Sequence, residues 1–165
     1  MPGNKVRFMR LFLSAFVFMI LFLTLPARAD SPVQLSRGES VYVSIYSNVY
    51  SGPRKSAFQL AAMLSIRNTD PTFPIIILKV DYYDNNGNLV ERYSPKEFEL
   101  GPLVSTHFYI REYDKRGGPG AKFIVKWRAA DLVNSPVIEG IMLGMASGQG
   151  VSFICPGQVI EEHDR

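Results

Sequence analysis

The sequence predicts an all-β protein, a β-sandwich of seven to eight strands behind an N-terminal signal peptide, and three observations carry that prediction. Apolar residues recur at every second position in segment after segment, the period that places them on one face of a strand. Those segments are short and are divided by Gly, Pro and Asn clusters that suit turns. Beyond residue 29 no long segment carries apolar residues at three-and-four spacing behind a cap, so no helix is expected there.

The chain opens with a basic start (Lys5, Arg7, Arg10), an apolar run from Leu11 to Leu25 and a small-residue end, Ala27-Arg28-Ala29. This is the layout of a cleavable secretory signal, with cleavage expected between Ala29 and Asp30. The rival reading is a retained anchor, but a run of that length makes roughly 22 Å of helix against a hydrocarbon core of about 30 Å. Lipoprotein processing needs a Cys directly after the cleavage point, and position 30 is Asp. The expected location is therefore exported, periplasmic or extracellular, with an N-terminally anchored domain outside the cytoplasm as the alternative.

Removing residues 1–29 changes the charge. Of 18 basic and 15 acidic residues, Lys5, Arg7, Arg10 and Arg28 leave with the signal and no acidic residue does, so 14 face 15. The basic character belongs to the targeting segment and gives no support to nucleic-acid binding. No membrane association is expected after cleavage. The remaining chain is long enough to bury one core without disulfides.

In order, residues 30–39 read as a flexible, polar lead-in and residues 40–160 as one domain, with 161–165 a polar tail. Ser40 to Tyr46 alternates, with Val41, Val43 and Ile45 on one face and Tyr42, Ser44 and Tyr46 on the other. Asn48 to Lys55 is a connection around Ser51-Gly52-Pro53. In Ala57 to Arg67, Phe58, Leu60, Ala62, Leu64 and Ile66 share a face. Asn68, Thr69, Asp70 and Pro71 break the pattern, and with Pro74 they form a stiff arch that carries the chain between sheets.

Ile75 to Tyr83 is dense in β-branched and aromatic residues and reads as a central strand. Asp84 to Asn88 contains Asn86-Gly87, the turn of a hairpin whose second arm is Leu89 to Tyr93. A short extended piece is expected at Glu97 to Leu100. Val104, Thr106, Phe108 and Ile110 then line the inner side of a strand, with Ser105, His107, Tyr109 and Arg111 facing water. The flexible Arg116-Gly117-Gly118-Pro119-Gly120 leads to Ala121 to Ala129, where Phe123, Val125 and Trp127 alternate with Lys122, Lys126 and Arg128. Asp131 to Pro136 turns the chain into two last strands, Val137 to Met145 and Gly150 to Cys155.

Motifs for chemistry resolve into structure. Asp84-x-Asn86-x-Asn88 starts like a calcium loop, but Leu89 stands where that loop needs Gly and Pro95 where it needs Glu. Gly117 to Gly120 lacks the Lys-Ser or Lys-Thr and the helix of a phosphate loop. A hydrolytic triad would have to use His107, whose nearest nucleophile is Ser105, and His163 falls in the tail. Met63, Met142 and Met145 lack the His spacing of a copper site and read as core fillers. Cys155 has no partner in the chain, so it is either buried and inert or a thiol able to pair between molecules. No cofactor, metal or catalytic residue is expected.

Tyr is the suggestive residue, since it joins a large apolar ring to a hydroxyl handle. Tyr46, Tyr50, His107, Tyr109 and Arg111 are the candidate binding residues, for an unknown protein, peptide or envelope component. The competing reading is an exported enzyme or metal carrier with a loop-built site.

Tyr46-Ser47-Asn48-Val49-Tyr50-Ser51-Gly52, Leu64-Ser65-Ile66-Arg67-Asn68-Thr69-Asp70, Tyr82-Tyr83-Asp84 with Gly87-Asn88-Leu89-Val90, Leu100-Gly101-Pro102-Leu103, Gly117-Gly118-x-Gly120-Ala121-x-Phe123 and Gly148-Gln149-Gly150-Val151-Ser152-Phe153 together carry a resemblance. They resemble an uncharacterised family of bacterial exported domains over about Val41 to Ile160. That resemblance implies no activity, because the family has no established function. The run of Arg-Asn-Thr, Tyr-Asp-x-x-Gly hairpin and Leu-Gly-Pro also resembles secreted immunoglobulin-like modules, which implies an immunoglobulin-like sandwich by analogy.

Overall fold

The computed structural model describes residues 33–51, 53–146 and 148–163, so the predicted signal peptide lies outside the described residues. Among them the chain is all-β, with twelve strands. They are β1 (Leu35–Ile45), β2 (Asn48–Ser51), β3 (Ser56–Gln59), β4 (Ala61–Arg67), β5 (Ile75–Tyr83) and β6 (Leu89–Arg92), then β7 (Phe98–Leu100), β8 (Ser105–Ile110), β9 (Ala121–Asn134), β10 (Val137–Ala146), β11 (Gln149–Pro156) and β12 (Gln158–Glu162). One sheet runs β12-β1-β9-β5-β6 with β7 also on β5, a second runs β11-β10-β4-β8, and β2 pairs with β3 alone. Every pairing is antiparallel.

The alternation that predicts strands also decides what is buried. Val43, Ile45, Leu64, Ile66, Ile77, Val80, Phe123, Val125 and Trp127 are all fully buried, in one core drawn from both larger sheets. Asn68 to Pro74 carries the chain from the second sheet (β4) to the first (β5), as its stiffness predicts. Asn68 holds that arch: its Nδ2 donates to the carbonyls of Phe73 (2.9 Å), Leu100 (3.1 Å) and Gly101 (3.0 Å), and its Oδ1 accepts from the Asp70 amide (3.0 Å). Asp70 accepts in turn from the amides of Thr72, Phe73 and Asn134. These amides hold its carboxyl below the usual range, that of Phe73 contributing most.

The Asn86-Gly87 turn forms as expected, with Gly87 at φ 85, a conformation that costs a residue without Cβ little. The Asp84 carboxylate is occupied by the turn itself, its Oδ1 accepting from the amides of Asn86 and Asn88 at 2.8 Å each. That explains the calcium-loop spacing without a cation.

Several expectations need correction. The lead-in is not free over its last residues: Leu35 and Ser36 already pair with Asn134 and Val133 on β9. Glu39, only 1 % exposed, accepts from Trp127 Nε1 (3.3 Å) and Ser135 Oγ (2.8 Å). A buried carboxylate needs such donors, and they fix the strand start. At the other end, residues 161–162 are not a tail but the end of β12, where Glu161 pairs with Ser40. Asn48 to Lys55 contains β2, and the single strand expected over Ala57 to Arg67 is broken at Leu60, whose amide donates to the Ser47 carbonyl (3.0 Å). The turn expected over Asp131 to Pro136 starts later, because β9 continues to Asn134 and returns Val133 to the core. The loop at Gly117 is bonded on both sides, Asn85 N to Gly117 O at 2.9 Å and Ser47 N to Gly118 O at 3.1 Å.

Candidate binding face

The outward faces of the two larger sheets differ in chemistry. On the first sheet Lys122, Lys126 and Arg128 alternate with the buried Phe123, Val125 and Trp127 along β9. Its charges meet partners: Lys79 lies 2.6 Å from Asp81, Lys126 3.4 Å from Glu161 and Arg128 3.6 Å from Glu97, while Lys122 Nζ donates to the Asp84 carbonyl. That face is charged and internally paired, as the spacing of charged residues predicts, with Asp81 itself buried.

The second sheet turns apolar side chains outward. Along β10, Ile138, Gly140, Met142 and Gly144 face the core, and Val137, Glu139, Ile141, Leu143 and Met145 face away. Glycine is required at 140, where a Cβ would stand 2.8 Å from Ile45 Cδ1 and 3.0 Å from the Ser44 carbonyl oxygen. The strand register aligns Ile154 of β11, Ile141 of β10, Met63 of β4 and Tyr109 of β8 in one row across all four strands. Leu143 sits beside Ala61 in the next row, and Met145 lies beyond it. Ile154 (57 %), Tyr109 (56 %), Leu143 (53 %) and Met145 (81 %) are exposed to a degree that folding does not require. The polar border on one side is Glu139, ion-paired to Arg67 at 3.3 Å, then Ser65 and His107.

At Tyr109 this face meets a groove of about 470 Å³. Tyr93, Ile110 and Tyr113 supply its apolar wall, and Glu91, Arg111, Asp114 and Arg116 its charges. Arg116 is saturated, 2.6 Å from Asp114 and 2.7 Å from Glu91. That contact holds the Asp114 carboxyl below its usual range and raises the guanidinium further. Burial first, then the nearby carboxylates of Glu91 and Asp114, push the Tyr93 phenol up to about 12. Arg111 differs: among the described residues its exposed guanidinium has no ion-pair or hydrogen-bond partner.

The structure brings three of the five candidate residues together and separates two. His107, Tyr109 and Arg111 follow one another along the outward side of β8 and its end, all exposed. Tyr46 and Tyr50 do not join them. The Tyr46 ring packs edge-on against Phe153 of β11 at 5.7 Å, so its size serves the rim of the core. Tyr50 is exposed on β2, opposite Ala57 in the separate two-stranded sheet. Met63 and Met145 also depart from expectation: only Met142 of the three methionines is buried in the core. The missed signal is the pair Gly140 and Gly144. Glycines on alternate positions mark the side of a strand pressed against another layer, which leaves Ile141, Leu143 and Met145 outward.

One polar cluster was also illegible. Ser40 Oγ donates to Glu161 Oε2 at 2.9 Å and lies 2.9 Å from His163 Nε2, which is itself 3.4 Å from Glu161 Oε2. A hydrolytic relay needs the carboxylate on one ring nitrogen and the serine on the other. Here both meet Nε2 and Ser40 is 1 % exposed, so the cluster fastens β12 to β1. The Ser40 hydroxyl, ahead of His163 and Lys126, holds the Glu161 carboxyl below its usual range. Among the described residues no group of three or more His, Cys, Asp or Glu is placed to hold a metal ion, and no helix is long and apolar enough to cross a membrane.

A family model described as a protein of unknown function, DUF3124, matches residues 38–160. No curated protein matches the chain. Among solved structures, a crystal structure of Thermotoga maritima 1070 is similar with a TM-score of 0.45 and 13 % identity, over 76 % of this chain and 97 % of that one.

Proposed function

Because the chain belongs to the DUF3124 family, whose description assigns no activity, we propose from its geometry that it is a non-catalytic binding module working through the outward face of the β11-β10-β4-β8 sheet. The observation that carries this reading is the row Ile154, Ile141, Met63 and Tyr109 with Leu143 and Met145 beside it. Contiguous apolar surface rimmed by polar groups is what a protein partner covers. Tyr109 stands where the row meets the groove, and the unpaired Arg111 guanidinium beside it offers planar donors to a carboxylate. The inner residues of the same strands already fill the core, so the outward ones are surplus to folding.

The signal-like residues 1–29 support an exported, periplasmic or extracellular setting and a protein or envelope component as partner. The two-layer antiparallel arrangement, with the chain arching between sheets, supports an immunoglobulin-like description of the sandwich by analogy. A photoreactive residue at Leu143, with a control at Lys79 on the charged sheet, tests the face in the native host. Partner crosslinks from position 143 and none from 79 are expected. Crosslinks from 79 alone would move the site to the other sheet and end this reading.

A further inference from the structure

We infer that the open edge of β8 accepts an extended, carboxylate-bearing segment of a protein partner as an added antiparallel or parallel strand of the second sheet. Strands β4 and β8 keep one register without a bulge, from Ala62 opposite Ile110 to Arg67 opposite Ser105. One step further, the Asn68 amide donates to the Val104 carbonyl at 3.0 Å. Bonded pairs alternate along an antiparallel ladder. Ile66–Thr106, Leu64–Phe108 and Ala62–Ile110 are therefore the bonded pairs, and the main-chain N–H and C=O groups of Ser105, His107 and Tyr109 point away from β4.

Among the described residues no strand pairs with that side of β8. Proteins usually blunt such an edge with Pro, Lys, a bulge or a cover. Strand β8, Ser-Thr-His-Phe-Tyr-Ile, contains neither Pro nor Lys and no bulge. The three residues whose backbone groups are open, Ser105, His107 and Tyr109, also carry their side chains on the outward face.

Charge selects the occupant. Arg116 is neutralised by Asp114 and Glu91, whereas Arg111 at the end of the edge and His107 within it have no anionic partner among the described residues. A second copy paired edge to edge would bring two arginines and two histidines to one seam. A segment alternating carboxylates with apolar residues instead offers anions to Arg111 and apolar contact to Tyr109, while its backbone completes the ladder.

The inference rests on the binding reading above but concerns the edge, so the two are tested by different observables: backbone exchange on β8 here, crosslinking from Leu143 there. The experiment is hydrogen exchange of individual amides by NMR on the purified protein, alone and with a decapeptide of alternating valine and glutamate. In the free protein the His107 and Tyr109 amides should exchange fast and those of Thr106, Phe108 and Ile110 slowly. The peptide should slow His107 and Tyr109 by about tenfold or more, and a valine–lysine decapeptide should not. Tyr109→Pro removes an outward N–H at a position where an edge tolerates proline, and should abolish the effect. Should that variant unfold, Arg111→Glu serves, with the preference shifting to the lysine peptide. Protection of His107 and Tyr109 already present in the free protein, protection that grows with protein concentration, or equal protection by both peptides overturns the inference.

Discussion

Replacing Asn68 by Ala tests how the chain is held as it crosses between the sheets. The side chain is 2 % exposed and makes four hydrogen bonds, three as donor to Phe73, Leu100 and Gly101 and one as acceptor from Asp70. Two amide hydrogens serve three carbonyls, so at least one bond is shared and three full bonds is a fair count. At about 1 kcal/mol net each, the loss should be about 3 kcal/mol. Asn68→Asp, of the same shape, should cost at least as much, because it sets a carboxylate oxygen against three carbonyls. Urea unfolding followed through Trp127 is the assay, and the midpoint should fall by about 1 to 2 M with an unchanged slope. A midpoint within about 0.3 M of wild type would refute the reasoning, since the arch would then hold without the amide.

Trp127→Ala should cost about 3 to 5 kcal/mol through lost burial and a cavity, and it also strips the Nε1 donor from Glu39; chemical unfolding followed by circular dichroism reads it. Wild-type Trp127 emission should be blue-shifted and move red in one transition. Asp70 has a folded pKa below its unfolded value, so the stability it contributes is present above about pH 4 and is lost as pH falls through the folded value. Asp70→Asn should therefore flatten the acid limb of a melting-temperature profile between pH 2 and 6 relative to wild type. Burial pushes the Cys155 thiol up, so iodoacetamide at pH 8 should label it more slowly in folded than in unfolded protein. Equal rates would mean the thiol is open to pairing between molecules.

What the sequence made legible and what it hid divide along a physical line. Strands with one inner and one polar face are readable because a single alternation carries both, as in Val41-Val43-Ile45 and Phe123-Val125-Trp127. The arch was readable because Asn, Asp and Pro each forbid the ladder for a local reason. β2 and β12 were not, since four or five residues with mixed exposure carry too little periodicity to separate strand from loop, and β3 was legible only as the start of β4, the break at Leu60 being hidden. The end of β9 was hidden for a different reason: Ala130, Asp131 and Leu132 are all exposed and lie where the β1 register jumps from Arg128 to Val133, and pairing resumes only at Val133 and Asn134.

For the candidate site, the outward side of β8 was legible from the alternation of Ser105, His107, Tyr109 and Arg111. Its extension across β4, β10 and β11 was not, because it depends on which strands become neighbours, and sequence alone does not set that order. Apolar residues on both sides of a strand read as core by default, which is why the sequence assigns Met63 and Met145 to the core. Tyr46 and Tyr50 are set apart from that face for the same reason of strand order, Tyr50 being exposed as its position predicts. Aromatic size read as a surface feature serves ring packing against Phe153 in one case and stands on a separate hairpin in the other.

The central claim, that the face meeting the groove at Tyr109 is the binding surface, is tested most directly by affinity. The partner identified by crosslinking from Leu143 is titrated against wild type and against the Tyr109→Ala, Arg111→Ala double variant, with melting temperatures measured in parallel. Both side chains are exposed and outside the core, so the melting temperatures should agree. The dissociation constant should rise about 30-fold or more, the loss of an anchor of about 2 kcal/mol. Equal affinity in a double variant that melts like wild type would contradict the account.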